Sequence, residues 1–431
     1  MTATIFALAS GAGQAAVAVL RLSGPGSGEL LRALAGRLPP PRRASLATLR
    51  HLGEVLDEAL VLWFPAPASY TGEDSAELHL HGGRAVIAGV ADALVALGAR
   101  PAEPGEFTRR AFLHGKLDLT AAEGIADLIA AETAAQRRQA LRQAAGGLSA
   151  RVAEWTARTT RLLARQEAFI EFEEEDLPGD LDAAVTAAAA LLRAEMAALL
   201  AEGARGERLR EGVAVAILGA PNAGKSSLLN ALAGREAAIV SARAGTTRDV
   251  VEVRLVLAGV PVTLADTAGL RETADEIEAE GVRRALARAE AADLRLLVLP
   301  ADAPPDAATL ALAGPGALLV ASKADLGPSP VAGALAVSAR TGEGLAALRA
   351  ALEAEVAARA GLTDAAGLTR PRHRAAVGEA VDWLDRLASA PLPELRAEAL
   401  RGALAALGRL TGRVGVEQVL DLVFGEFCIG K

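Results

Sequence analysis

Four textures of apolar and polar positions follow one another along the 431-residue chain. In residues 1–116, "AAVAVLRLSG" and "EALVLWFP" are apolar runs of strand length closed by Gly or Pro. "AVIAGVADALVALG" in the same stretch predicts a helix that stops at Gly98. In residues 117–208 apolar positions recur three and four apart with almost no proline, which predicts long amphipathic helices until "EFEEEDLPGD" breaks the pattern. Residues 209–371 alternate short Val/Leu/Ile runs with helical stretches, the pattern of a parallel sheet covered by helices. From about residue 372 the chain returns to Ala/Leu/Arg helix and stays there to residue 424. The expected fold is a multi-domain one, α/β and α. An N-terminal α+β domain precedes a helical domain into which a doubly wound βα domain is inserted.

Composition adds limits. The chain is 52% apolar and 23% charged, a soluble globular profile, and its low aromatic content of 3% fits a helix-rich chain. A net charge of −8 argues against a uniformly basic coat for non-specific nucleic-acid binding. The single cysteine, Cys428, excludes an internal disulfide and a cysteine zinc cluster. The sequence shows no uninterrupted apolar run of transmembrane length, and "MTATIFALASGAG" lacks a basic leader segment, so no membrane partner and a cytoplasmic location are expected. "CIGK" at the end departs from a prenylation box at Gly430 and Lys431.

The strongest chemical signal is "VAVAILGAPNAGKSSLLNAL". G-x-x-x-x-G-K-S from Gly219 to Ser226 stands between an expected strand and an expected helix, the context in which backbone N–H groups cradle phosphate. Asn222, Ala223, Gly224, Lys225, Ser226 and Ser227 are the phosphate-loop candidates. Lys225 is expected on the β/γ-phosphates and Ser226 on Mg²⁺. Thr247 in "AGTTRD" is a second Mg²⁺ candidate. In "VTLADTAGL", Asp266, Thr267, Ala268 and Gly269 are expected around the metal and the γ-phosphate. "ASKAD" supplies Ser322, Lys323 and Asp325, and the Asp325 carboxylate can accept both guanine N1–H and N2–H₂. "VSARTGEG" supplies Ser338, Ala339 and Arg340 near guanine O6. These motifs in this order point to GTP rather than ATP.

Two positions depart from the usual pattern. Leu270 follows "DTAG" where a Ras-like enzyme has the glutamine that orients water. Missing transition-state stabilisation of that kind costs on the order of 10³–10⁵ in rate, so help must come from elsewhere. Ser322 replaces the more usual asparagine, and a shorter side chain keeps only part of that hydrogen bonding.

"GAPNAGKSSLLNALAGREAAIV", "AGTTRDV", "DTAGLRETADEIE", "VSARTGEG" and "FCIGK" resemble the tRNA modification GTPase MnmE (TrmE) family. "VLRLSG", "WFPAPASYTGED", "RPAEPGEFTRRAFLHGKLDL" and "AEGIADLI" are similar to the same family, so the likeness runs nearly end to end. The resemblance implies residues 1–116 as a tetrahydrofolate-binding and dimerisation domain and 117–208 with 372–431 as the helical domain. Residues 209–371 would be the inserted Ras-like GTPase domain. It implies a homodimer that works on tRNA with the FAD-dependent partner MnmG (GidA), in a heterotetramer or larger complex. The implied reaction adds an aminomethyl or carboxymethylaminomethyl group at C5 of the wobble uridine, with 5-formyl- or 5,10-methylene-tetrahydrofolate as the one-carbon source.

By the same resemblance K⁺ stands where an arginine finger would act, with Asn222, Ser241, Arg243 and Thr246 at its contact positions, and Ser241 and Thr246 also close to GTP. Glu278 aligns with the glutamate that positions the attacking water, although in isolation it reads as a solvated helix charge. Arg21, Glu77, Lys116 and Lys431 fall at folate contacts. Cys428 falls near the one-carbon unit, where it is either a reactive thiol or a buried small apolar group. Glu77, His79 and His81 alternate along one strand, which reads as the strand's polar face rather than a metal site. Two other functions fit parts of the sequence. A GTP-switched assembly factor for ribosomal RNA would need an RNA-binding module, which is not evident. A folate-sensing switch would turn over GTP without a tRNA product.

Overall fold

The computed structural model describes residues 3–11, 13–171, 181–234, 252–266, 292–329, 331–361, 367–414, 417–425, 427 and 429–430. The chain forms two compact units. One comprises Met1–Ala126, Gln143–Arg158 and Leu404–Lys431, and the other Asp127–Arg142 and Thr159–Ala403. The division falls inside the helical stretches, not at their ends.

The first unit is built on a six-stranded sheet of order β3-β4-β5-β2-β1-β6. Its strands are β1 (Ile5–Leu8), β2 (Ala15–Ser23), β3 (Ser45–His51), β4 (Glu54–Phe64), β5 (Ser75–Gly82) and β6 (Arg100–Pro101). Neighbours are antiparallel except β1 and β6, which run parallel. Period-two alternation sends Leu20, Leu22, Val61, Trp63, Leu78 and Leu80 to one face. There they pack with Leu30, Leu31 and Leu34 of α1 (Ser27–Ala35) and Val90 and Leu94 of α2 (Arg84–Ala96). The same alternation puts Arg21 opposite Glu77 on the other face. A third helix, α3 (Glu106–Leu113), follows the sheet.

Four helices come next: α4 (Leu119–Ala130), α5 (Ala134–Ala144), α6 (Gly147–Glu171) and α7 (Leu181–Glu211). By length and composition, residues Ala183–Glu211 of α7 could cross a membrane. Leu192, Met196 and Leu199 of this helix are buried in the protein.

The second unit carries a sheet of order β12-β11-β10-β7-β9-β8. Its elements are β7 (Val213–Leu218), α8 (Lys225–Ala233), β8 (Glu252–Leu257), β9 (Val260–Asp266), β10 (Leu294–Pro300), α9 (Ala307–Leu310), β11 (Ala317–Ser322), β12 (Leu335–Val337) and α10 (Leu345–Ala360). Its core joins Val215, Ile217, Val262, Leu264, Leu296, Val298 and Val320 to Leu228, Leu348, Leu352 and Val356 of the helices. Contrary to an all-parallel reading, β8 runs antiparallel to β9. The two are joined by residues 258 and 259 at φ 51° and 78°, and two residues are enough only for a hairpin. The chain then continues as α11 (Pro371–Ser389), α12 (Pro393–Thr411) and α13 (Glu417–Gly425). In this unit α11 lies along α7, with Arg193–Asp385 at 2.9 Å and Arg374–Glu207 at 2.8 Å. Asp127 Oδ1 accepts from both Arg210 (2.8 Å) and Arg370 (2.9 Å). In the first unit Val423 and Phe424 of α13 pack with Phe427 against Leu119 and Ala122.

Candidate functional site

The strand order puts β7 between β10 and β9, where the connections leave the sheet in opposite directions. Open α/β sheets bind ligands at such a point, beyond the carboxyl ends of their strands. The phosphate loop starts there, immediately after β7. Gly219 is required by close approach, because a Cβ would sit 2.4 Å from the carbonyl oxygen of Val298. Asn222 has φ 62°, a left-handed geometry that asparagine tolerates better than most side chains. Gly224 caps α8, so the first turn of the helix, Lys225, Ser226 and Ser227, begins at the loop. The Lys225 ammonium is buried and donates to the carbonyls of Gly219 (2.7 Å) and Ala220 (2.8 Å). These two bonds hold the ammonium against the loop.

The other side of the candidate site is assembled at the ends of β11 and β12. The Ser322 hydroxyl, buried at the end of β11, donates to the carbonyl of Ala223 at 2.5 Å, which ties this strand end to the phosphate loop. Lys323 takes φ 56° and pairs with Asp302 at 2.9 Å. Asp325 Oδ1 accepts from Ser338 Oγ at 2.6 Å, and Oδ2 accepts from Arg340 Nε at 3.0 Å. The Ser338 bond first, and then Arg340, hold the Asp325 carboxyl below the usual carboxylate range. It therefore stays an ionised double acceptor, suited to a ligand edge with two N–H groups. Ser338, Ala339 and Arg340 follow β12 in a turn closed by Ser338 N–H to the Glu343 carbonyl at 3.0 Å.

The structure thus gathers Asn222, Ala223, Gly224, Lys225, Ser226, Ser227, Ser322, Lys323, Asp325, Ser338, Ala339 and Arg340 at one end of one sheet. The backbone of Asp266 ends β9 beside Ile217 of β7, at the same end. Ser241, Arg243, Thr246, Thr247, Thr267, Ala268, Gly269, Leu270 and Glu278 lie outside the described residues.

A second site lies in the first unit. A cavity of about 310 Å³ is lined by Arg21, Arg42, Phe64, Tyr70, Thr71 and Glu77, among others. Arg21 Nη2 bonds Glu77 Oε1 at 3.0 Å, and its guanidinium stands 5.5 Å from the centre of the Tyr70 ring. Burial pushes the Tyr70 phenol up, outweighing its 2.9 Å bond to Thr108 and the Arg21 charge, so the phenol keeps its proton. Glu77 Oε2 meets His79 Nε2 at 3.3 Å, and His81 pairs instead with Asp57 at 2.7 Å. Lys116 does not line this cavity; its ammonium donates to the Pro67 carbonyl at 2.9 Å. Cys428 and Lys431 lie outside the described residues. Between them Gly430 is pressed against β1, where a Cβ would meet the Leu8 carbonyl oxygen at 2.4 Å.

Sequence reasoning overlooked Arg42, Phe64 and Tyr70 as cavity residues. A usable signal was present, since Tyr70 is the only tyrosine of the chain and stands inside "WFPAPASYTGED". It also overlooked Arg110, which is linked to the cavity residue Thr71 through Glu73 and Ser23. Arg110 is buried and bonds Glu73 (2.9 Å), Glu106 (2.8 Å) and the Ala3 carbonyl (2.9 Å).

Comparison with known proteins shows the family to which the chain belongs. A family model described as the GTP-binding protein TrmE N-terminus matches residues 4–116. A second, the MnmE helical domain, matches residues 119–428. The tRNA modification GTPase MnmE of Granulibacter bethesdensis is 59% identical over 436 residues, covering 99% of both chains. That of Gluconacetobacter diazotrophicus is 60% identical over 435 residues, covering 99% of this chain and 98% of its own. Among solved structures, the G domain of the T. maritima FeoB iron transporter is 26% identical with a TM-score of 0.26, covering 33% of this chain and 98% of that one. Aquifex aeolicus Era bound to GDP·AlF₄⁻ is 26% identical with a TM-score of 0.27, covering 33% and 56%. With end-to-end identity near 60% and family models covering almost its whole length, the chain belongs to the tRNA modification GTPase MnmE family.

Proposed function

We propose that the protein hydrolyses GTP to drive modification of the wobble uridine of tRNA at C5, adding an aminomethyl or carboxymethylaminomethyl group. The observation that carries the GTP reading is the convergence at one sheet end of Lys225 in its cradle and the ionised Asp325, linked through the Ser322–Ala223 bond, and family membership carries the tRNA reading. Lys225 would bind the β/γ-phosphates and Asp325 the guanine N1–H and N2–H₂. Ser226, exposed at the start of α8, offers the hard oxygen that suits Mg²⁺, with Thr247 as its partner ligand. When bound, Mg²⁺ neutralises charge between the β- and γ-phosphates. Asn222, with Ser241, Arg243 and Thr246, would hold K⁺ where another GTPase uses an arginine. Glu278 would position the attacking water, replacing the glutamine that Leu270 cannot mimic.

The cavity around Arg21 and Glu77 fits a tetrahydrofolate derivative: aromatic walls suit a flat ring, and a few placed polar groups suit its amide edge. Lys116 and Lys431 would serve the same ligand, and Cys428 would act near the one-carbon unit the folate supplies. In this reading residues 1–116 bind folate and form the homodimer, residues 117–208 and 372–431 form one helical domain, and residues 209–371 are the GTPase. The partner is an FAD-dependent protein of the MnmG type, and the site of action is the cytoplasm.

The test is nucleoside mass spectrometry of tRNA from cells lacking this gene, with and without a plasmid copy. Loss of 5-aminomethyl-type uridines, restored by the plasmid, is expected. An unchanged nucleoside profile would reject the reading and move the ribosome-assembly role ahead of it.

A further inference from the structure

We propose that the nucleotide site reads guanine through its Watson–Crick edge alone and leaves N7 unread, because Ser322 commits its only proton to the phosphate loop. This rests on the reading above that guanine lies against Asp325. A hydroxyl has one proton to donate. That of Ser322 goes to the Ala223 carbonyl at 2.5 Å, and its next neighbour, the Leu299 carbonyl at 3.4 Å, is also an acceptor. A carbonyl cannot return a proton, so in this arrangement Ser322 must be the donor. Guanine N7 and O6 are both acceptors. With its proton spent, Ser322 has only lone pairs left, and lone pairs make no bond to N7.

An asparagine at this position would behave differently. Its amide carries two protons, enough for the Ala223 carbonyl and the base together. Ser322 is buried, and its bond to the Ala223 carbonyl holds the hydroxyl toward the loop. The residue therefore fixes the loop and not the base. Discrimination against adenine rests on Asp325, whose carboxylate is held ready by Ser338 and Arg340.

The test is competition of GDP, 7-deaza-GDP and IDP against a fluorescent GDP on the full-length protein. 7-deaza-GDP lacks the N7 acceptor, and IDP lacks the N2 amine. In the wild type 7-deaza-GDP should bind within about twofold of GDP, the loss of one neutral hydrogen bond being otherwise worth roughly two- to tenfold. IDP should bind at least about tenfold more weakly, since it leaves part of Asp325 unpaired. Ser322→Asn should acquire a roughly two- to tenfold preference for GDP over 7-deaza-GDP. Ser322→Ala should weaken both by the same factor, and this variant with the wild type carries the test if the asparagine variant does not fold. A wild-type preference for GDP over 7-deaza-GDP of more than about twofold, or a change of that ratio in Ser322→Ala, would overturn the proposal. IDP binding as tightly as GDP would instead overturn the placement of guanine at Asp325.

Discussion

Arg110→Met removes a buried cation linked to the cavity residue Thr71 through Glu73 and Ser23, and leaves its partners behind. Glu73 and Glu106, whose side chains are 10% and 12% exposed, would then face a thioether of similar length. Breaking a buried pair by removing one partner costs about 3–5 kcal/mol. For a unit of 150–250 residues each kcal/mol lowers the midpoint by about 2–4 °C, so the unfolding transition of the first unit should fall by roughly 6–20 °C.

Acidity gives a second reading. Burial pushes the Glu106 carboxyl up, but the Arg100 bond, the Glu103 N–H and Arg110 together bring it down to about 2. A carboxyl held below its unfolded value of about 4.3 contributes stability that is complete above that value and drains away as pH falls toward about 2. Without Arg110 that contribution is smaller. The gap between wild type and variant should be widest near pH 7.5 and narrower near pH 3. Calorimetry on the full chain at both values measures it. A gap below about 1 kcal/mol at pH 7.5, within the range of an ordinary surface change, or a gap that widens in acid, would refute the argument. Function should follow stability. Glu73 bonds Ser23 at 2.8 Å, and Ser23 bonds the cavity residue Thr71 at 2.7 Å, so the variant should also bind a tetrahydrofolate analogue more weakly.

Three other outcomes are expected. GTP hydrolysis should be faster in K⁺ than in Na⁺ at equal ionic strength, and equal rates would remove the ion-assisted mechanism. Glu278→Ala should keep GTP affinity while losing turnover, and normal single-turnover rates would end its catalytic role. Gly219→Ala must move either the loop or the end of β10, since its Cβ would stand 2.4 Å from the Val298 oxygen. Nucleotide affinity should drop at least about tenfold, which is roughly 1.4 kcal/mol, and unchanged GDP binding would contradict the close packing described here.

What could be read from the sequence was what depends on near neighbours. The Gly219–Ser226 loop was legible because a tight turn and a helix start are set by a handful of adjacent residues. The helices between 119 and 211, and the strands that hold the phosphate loop and Asp325, were legible from periodicity, which needs only one element at a time. The hairpin of β8 and β9 was missed because Ala258 at its turn is not a residue that announces positive φ.

Charge pairing was the larger gap. Arg21 and Glu77 are 56 positions apart, and only antiparallel register sets them side by side at 3.0 Å on one face of a sheet. Arg110 looked like any helix arginine, yet folding buries it against Glu73 and the Ala3 carbonyl, 37 and 107 positions away. Ser322 is the sharpest case. The sequence by itself determined that a serine stands in the guanine motif, and hence that one proton is available where asparagine has two. Only the tertiary structure decided where that proton goes, because the acceptor, Ala223, lies 99 positions earlier and comes within reach only when β7 and β11 flank β10 in the same parallel sheet.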